Sequence, residues 1–315
     1  MLKSASKKII DILVEHLGDN LRLLFMPYKR DMWDSLEGIY NIALERGFKA
    51  DITPIPYTCK DADGSFNDWI MDDFTGENVI YKFPEKGKYD AIFIHNSYDD
   101  HNKITSILPC FYSQYLKRLS RALCLVPYGI GDSGMVTPGI LNADVIFAES
   151  EKAVDSVMED ADRLGINVEK FRKKFFVVGS TKYDSLMPDT IPDSWIDRIK
   201  GKTVYLIATS IVPLLTDPLG EMKRIDDIIR QNALRPDVCL IWREHPLLKA
   251  TIHSMIPEME VAYQDYQRYY ISNELGILDT TDDYRIAFNI ADVLYTDSGS
   301  LAKVWEKTGK ELNRI

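Results

Sequence analysis

The chain is poor in cysteine and has no long apolar run. Its 315 residues include only Cys59, Cys110, Cys124 and Cys239. None forms a CxxC pair or a metal-ligand spacing, which argues against a disulfide scaffold or zinc module and for buried thiols in a reducing compartment. No apolar stretch reaches the ~18 residues that a membrane span requires. The opening MLKSASKKIIDILVEHLGDN meets charge too early for a signal peptide. Excess basic charge is also missing, since 38 Lys and Arg face 48 Asp and Glu for a net charge of −10. That balance speaks against a nucleic-acid partner and confines anion binding to local sites. What remains is 45% hydrophobic and 27% charged residues, the mix of a globular protein, over a length that fits two domains. The expectation is a cytoplasmic protein without metal or cofactor.

Apolar strands alternate with amphipathic helices. Residues 4–17 place Ile9, Ile10, Leu13 and Leu17 on one helix face, and Gly18 ends the helix. That face packs on the protein or lies on a membrane surface. Strands follow at 21–28, 49–54, 89–96, 122–127, 143–148 and 174–179. Helices are expected at 32–46, at 112–121 and from Ser150 to Leu164, with a polar loop over 58–78. Pro188 and Pro192 mark a linker. The pattern then restarts, with strands at 203–208, 238–243, 274–278 and 291–297 and helices at 217–232, 282–289 and 300–308. This predicts an α/β protein of two Rossmann-like domains facing across a cleft, residues 1–188 and 189–315. In such sheets ligands bind beyond the carboxyl ends of the strands.

Those ends carry polar chemistry. Thr296-Asp297-Ser298-Gly299-Ser300 turns a buried strand into a helix; it suits a phosphate, or Ser298 or Ser300 serves as an N-cap. Val238–Trp242 ends in Arg243-Glu244-His245-Pro246, a guanidinium and an imidazole able to hold or protonate a phosphate. Thr203–Ala208 ends in Thr209-Ser210, and Lys174–Gly179 in Ser180-Thr181-Lys182-Tyr183-Asp184.

The order GSTKYD, TS, REHP, ADVLYTDSGS resembles the CDP-glycerol glycerophosphotransferase family. Lys182 and Asp184 match its first motif, Arg243, His245 and Pro246 its second, and Thr296, Asp297 and Ser300 its third. FMPYKRDMWDSLEGIY and IFIHNSYDDHNKITS resemble a subgroup, so the similarity spans roughly residues 20–308. The resemblance implies a GT-B fold and transfer of a polyol phosphate from a CDP-linked donor to a polymer or lipid-linked acceptor, as in teichoic-acid-type synthesis, with possible peripheral contact at the inner membrane face. It assigns Lys182, Thr209, Ser210, Arg243, Thr296, Asp297, Ser298, Gly299 and Ser300 to the donor, and His245 to the leaving CMP. Members carry His-Gly-Thr after an N-domain strand; here Pro127-Tyr128-Gly129-Ile130-Gly131-Asp132 stands there. The chain also stops at 309–315, where members continue with a further strand and helices.

The acceptor hydroxyl needs a base with a pKa near working pH. His95, at a strand end, and Asp132 are the preferred candidates. Asp99, Asp100 and His101 read as a solvated acidic loop. Lys29, Arg30 and Tyr128 form the expected acceptor side, while Trp33 belongs to that edge or to the core. Two other readings stay open: a nucleotide-sugar transferase or epimerase of the same fold, and a degenerate nucleotide-binding protein.

Overall fold

The computed structural model describes residues 4–76, 78–129, 134–184 and 190–314. Contacts divide the chain into two units, Met1–Cys59 with Phe66–Ser185, and Lys60–Ser65 with Leu186–Ile315. The short loop Lys60–Ser65 therefore groups with the second unit.

The first unit opens with α1 (Ala5–Leu17), where Ser4 accepts from the Lys7 amide and Gly18 ends the helix at φ +91°. Next come β1 (Arg22–Met26), α2 (Asp34–Glu45), β2 (Lys49–Ile52), β3 (Tyr57–Cys59), β4 (Ala91–Ile94) and β5 (Thr105–Ile107). Then follow α3 (Ser113–Leu116), β6 (Ala122–Leu125), α4 (Pro138–Asn142), β7 (Val145–Ala148), α5 (Glu151–Arg163), α6 (Val168–Arg172) and β8 (Phe175–Val177). Six strands form one sheet in the order β2-β1-β4-β6-β7-β8, and every pairing in it is parallel. The strand interiors are apolar because both faces are covered. Ile9, Ile10 and Leu13 are fully buried in the same core as Leu36, Ile39 and Phe93. Each such side chain contributes about 1.5–3 kcal/mol. The apolar face of α1 thus belongs to the core rather than to a surface. Trp33 packs edge-on against Phe25, Tyr40 and Phe74, which assigns it to the core as well.

The second unit contains α7 (Asp193–Ile199), β9 (Thr203–Thr209), α8 (Ile211–Thr216), α9 (Pro218–Asn232), β10 (Val238–Glu244), α10 (Leu248–Met255) and α11 (Glu260–Ser272). It ends with β11 (Ile277–Asp279), α12 (Tyr284–Ile290), β12 (Val293–Thr296), α13 (Ser300–Glu306) and β13 (Glu311–Arg314). Its sheet runs β11-β10-β9-β12-β13, and all pairings are parallel. Trp242, Tyr263 and Tyr270 fill its core with Ile207, Ile225 and Leu248.

Three departures from the sequence reading have physical causes. Helix 112–121 shrinks to α3, because the Leu119 carbonyl accepts from the Gly87 amide and Ser120 turns back onto Ala122. The polar loop 58–78 begins inside β3, which pairs antiparallel with β5. Residues after 309 do supply a further strand: β13 pairs with β12, and Glu311 accepts from the Trp305 indole at 2.9 Å.

Candidate functional site

In the second unit three of the predicted strand ends lie side by side. β9 is flanked by β10 and β12, with Thr209 in register with Glu244 and Ile207 with Tyr295. The His245 amide donates to the Thr209 carbonyl at 2.9 Å, and Thr296 Oγ1 donates to the Ala208 carbonyl at 3.0 Å. Neighbouring strands lie about 4.8 Å apart, so the three tips occupy one edge. The fourth, Lys182, lies in the first unit.

His245 is the chemically versatile group at this edge. The Leu247 amide donates to its Nδ1 at 3.1 Å. Nδ1 is therefore the acceptor, and the neutral ring carries its proton on Nε2. The ring is half-buried, and Pro246 fixes the chain behind it. Beside it, the Ser210 hydroxyl is buried with no hydrogen-bond partner, although Ser210 occupies the N-cap position of α8. Thr209 points inward toward Tyr263, whose phenol burial and Glu244 hold well above its ordinary pKa.

The β12 turn is largely self-contained. Asp297 Oδ1 accepts from the Gly299 amide at 2.9 Å, and Ser298 Oγ accepts from Arg314 at 2.6 Å. Ser300 is exposed at the start of α13. Thr296 ties β12 to β9 through its hydroxyl.

Arg243 departs from its expected role. Its Nη1 lies 2.7 Å from Asp279 and donates to both oxygens of Thr281, with the side chain 7% exposed. The guanidinium neutralises a buried carboxylate on the neighbouring strand, which gives it a structural duty through Nη1. Lys182 is similarly committed, with Nζ 3.0 Å from the buried Asp34 carboxylate.

His95 also leaves the role of base. Ser35 Oγ donates to the Met32 carbonyl, so its lone pair faces His95 Nδ1 at 3.0 Å. Nδ1 also lies 3.1 Å from that carbonyl and must carry the proton, while Nε2 accepts from the Tyr28 amide at 3.0 Å. Both nitrogens are used, and burial pushes the ring's pKa down to about 3. The ring is a neutral tie between β4 and the β1–α2 connection. Asp132 lies outside the described residues.

On the expected acceptor side, Lys29 is buried against the Tyr57 ring and hydroxyl, the latter at 3.1 Å. Arg30 donates to the Asp73 carbonyl and sits over Phe74. Tyr128 does line a cavity of about 490 Å³ at the carboxyl ends of β4, β6, β7 and β8. Asp99 caps α3 through Ser113, and Asp100 meets His101 at 2.8 Å. Asp279, Asp34 and Ser35 escaped the sequence reading, because each matters through a partner distant in the chain.

No protein-family model matches the chain, and no curated protein matches it in sequence. Solved structures do match in shape. S. aureus MnaA in complex with UDP superposes with a TM-score of 0.54 at 12% identity, over 93% of this chain and 78% of that one. The UDP-GlcNAc 2-epimerase of Methanocaldococcus jannaschii gives 0.53 at 11%, over 94% and 84%. The fold is of the GT-B type. The wall teichoic acid polymerase TagF matches at 0.48 and 13% identity, over 98% of this chain and 74% of that one, too weakly to separate substrate classes. No helix among the described residues is long and apolar enough to cross a membrane.

Proposed function

We propose that the second unit binds a nucleoside diphosphate ester at the carboxyl edge of β9, β10 and β12. The chain then transfers a glycerol phosphate or related polyol phosphate from a CDP-linked donor to a hydroxyl of a cell-wall or surface polymer. The observation carrying this reading is the shared strand edge, where His245, its Nδ1 accepting from the Leu247 amide, follows β10 beside the Thr209-Ser210 end of β9, with the β12 turn on the far side of β9. The motif order supports the CDP-linked class. In the transfer an acceptor oxygen bonds to the donor's distal phosphorus while that phosphorus loses its bond to CMP. His245 Nε2–H hydrogen-bonds the departing phosphate and stabilises its growing charge without giving up the proton, worth about 10²–10³ in rate, while the proton of the acceptor hydroxyl passes to water. Arg243 acts by positioning, since its pair with Asp279 sets the end of β10 from which His245 projects.

A UDP-linked sugar is the second reading. It is favoured by the shape match to a 2-epimerase and to a protein solved with UDP. Thermal melting with CDP-glycerol, CDP-ribitol and UDP-GlcNAc, followed by assay of CMP release, tests both readings. Stabilisation by the CDP esters with CMP release is the expected result. Stabilisation by UDP-GlcNAc alone would transfer the chain to the second reading. Binding without turnover would make it a nucleotide-binding protein.

A further inference from the structure

At the amino ends of β1, β2 and β4 the first unit carries a hollow that the proposed donor site does not use. Arg22 opens β1 and Lys49 opens β2, and the two stand in register on neighbouring strands about 4.8 Å apart. Lys88 precedes β4, which flanks β1 on its other side. All three line a hollow of about 510 Å³ together with Leu44, Phe48 and Tyr89.

Positive charge dominates there. The described lining holds three cations and a single carboxylate, Asp51, whose Oδ2 accepts from the Tyr89 hydroxyl at 2.7 Å. Two further carboxylates stand nearby, and each has a cation outside the hollow. Glu85 meets Lys82 at 2.6 Å; Asp90 meets Arg121 at 3.1 Å and accepts from the Arg22 amide. Among the described residues the side chains of Arg22, Lys49 and Lys88 form no ion pair. Lys88 instead lies over the Tyr89 ring, 5.1 Å from its centroid. Helix α2 ends beside the hollow. Its last carbonyls accept from the Arg46, Gly47 and Phe48 amides, which leaves fewer of them to repel an anion.

Three positive charges against one negative leave an excess of two. A phosphate monoester carries about two negative charges at neutral pH. Arg22 offers a planar fork that matches its oxygens, and the lysines add point charges. Half-buried Phe48 and exposed Leu44 give a carbon body an apolar wall. In a chain of net charge −10, a local excess of this kind draws an anion to one place.

We infer that this hollow binds an organic phosphate monoester, with Arg22, Lys49 and Lys88 on its oxygens and the Phe48 and Leu44 wall against its carbon body. The site stands apart from the donor reading, which concerns the other sheet. A soluble sugar or polyol phosphate and a lipid with a monoester headgroup share this chemistry.

Calorimetry on the full chain tests the site with glucose 6-phosphate, glucose and inorganic phosphate. Glucose 6-phosphate should bind at least about tenfold more tightly than glucose, with inorganic phosphate between them. Arg22→Gln and Lys49→Gln, at exposed positions, should each weaken glucose 6-phosphate by about three- to tenfold, and the double variant by more. Lys173→Gln removes the same charge before β8, at the opposite edge of the sheet from β2, and should change nothing. Co-sedimentation with phosphatidylcholine vesicles, with and without phosphatidic acid, separates the sources. Capture by phosphatidic acid that Lys49→Gln weakens assigns a lipid monoester; calorimetric binding without capture assigns a soluble one. Glucose 6-phosphate affinity unchanged in the double variant would overturn the inference. So would an equal loss in Lys173→Gln, or no binding of any phosphate in solution or on vesicles. CDP-glycerol carries no monoester, so its melting shift should persist in the double variant and reports the donor reading separately.

Discussion

Arg243 and Asp279 face each other across adjacent parallel strands with Nη1 2.7 Å from Oδ2, and both side chains are almost completely buried. A pair taken this far out of water is costly to break, because the surviving partner keeps its charge without compensation. Arg243→Ala should therefore lower unfolding stability by about 3–5 kcal/mol in denaturant titration. Arg243→Lys should recover part of that loss, because a lysine restores the charge but not the donation to Thr281. If Arg243→Ala kept full stability yet lost nucleotide affinity in calorimetry, the guanidinium would be a ligand after all.

The neutral imidazole of His95 predicts a pH dependence. Its folded pKa is lowered to about 3, whereas an unfolded histidine titrates near 6.5. Below about 6.5 the unfolded chain binds a proton that the folded one refuses, so stability falls as pH drops toward 3 and is unaffected above 7. At pH 5 the loss relative to pH 7 should be about 2 kcal/mol. His95→Gln should be less stable at neutral pH and show a flatter acid limb. Parallel stability curves for the two proteins between pH 4 and 7 would show that His95 does not titrate this way.

Gly139 brings the start of α4 against the end of β4. Its amide donates to the Ser97 carbonyl at 2.7 Å, and a Cβ there would lie 2.7 Å from Ser97 Cα and 2.9 Å from its oxygen. Backbone on both sides cannot yield as a flexible side chain would. Gly139→Ala should cost about 1–3 kcal/mol and shift Ser97, which lines the first unit's cavity. Wild-type melting of Gly139→Ala would mean that α4 moves aside freely.

Both parallel sheets were legible in the sequence because buried parallel strands read as apolar runs ending in polar tips, as at Phe93-Ile94-His95 and Ile241-Trp242-Arg243. The roles of those tips were not. Arg243 and Asp279 lie 36 residues apart, and His95 finds its partners 60 to 67 residues away. Lys182 finds Asp34 in the same long-range way. A tip residue looks identical in sequence whether it awaits a ligand or already holds a neighbouring strand. Helix α11 was missed for another reason. Its buried face is Tyr263, Gln267 and Tyr270, side chains too polar to mark a core stripe.

His245 allows the sharpest test, because its two nitrogens have different duties. Nδ1 accepts from the Leu247 amide and supports the turn into α10, while Nε2–H is the group proposed to meet the phosphate. Asn at 245 places its carbonyl oxygen near the Nδ1 position, and Gln places its amide near Nε2. His245→Asn should therefore keep native melting while reducing CMP release by about 10²–10³-fold, the usual worth of one donor to a developing charge. His245→Gln should keep more donor affinity and faster turnover than Asn, because its amide still donates. If the Gln variant were as slow as Asn, a hydrogen bond from this position would not be what His245 contributes. If both variants melted early and bound donor normally once folded, the imidazole would be a turn former and the donor to the phosphate would lie elsewhere.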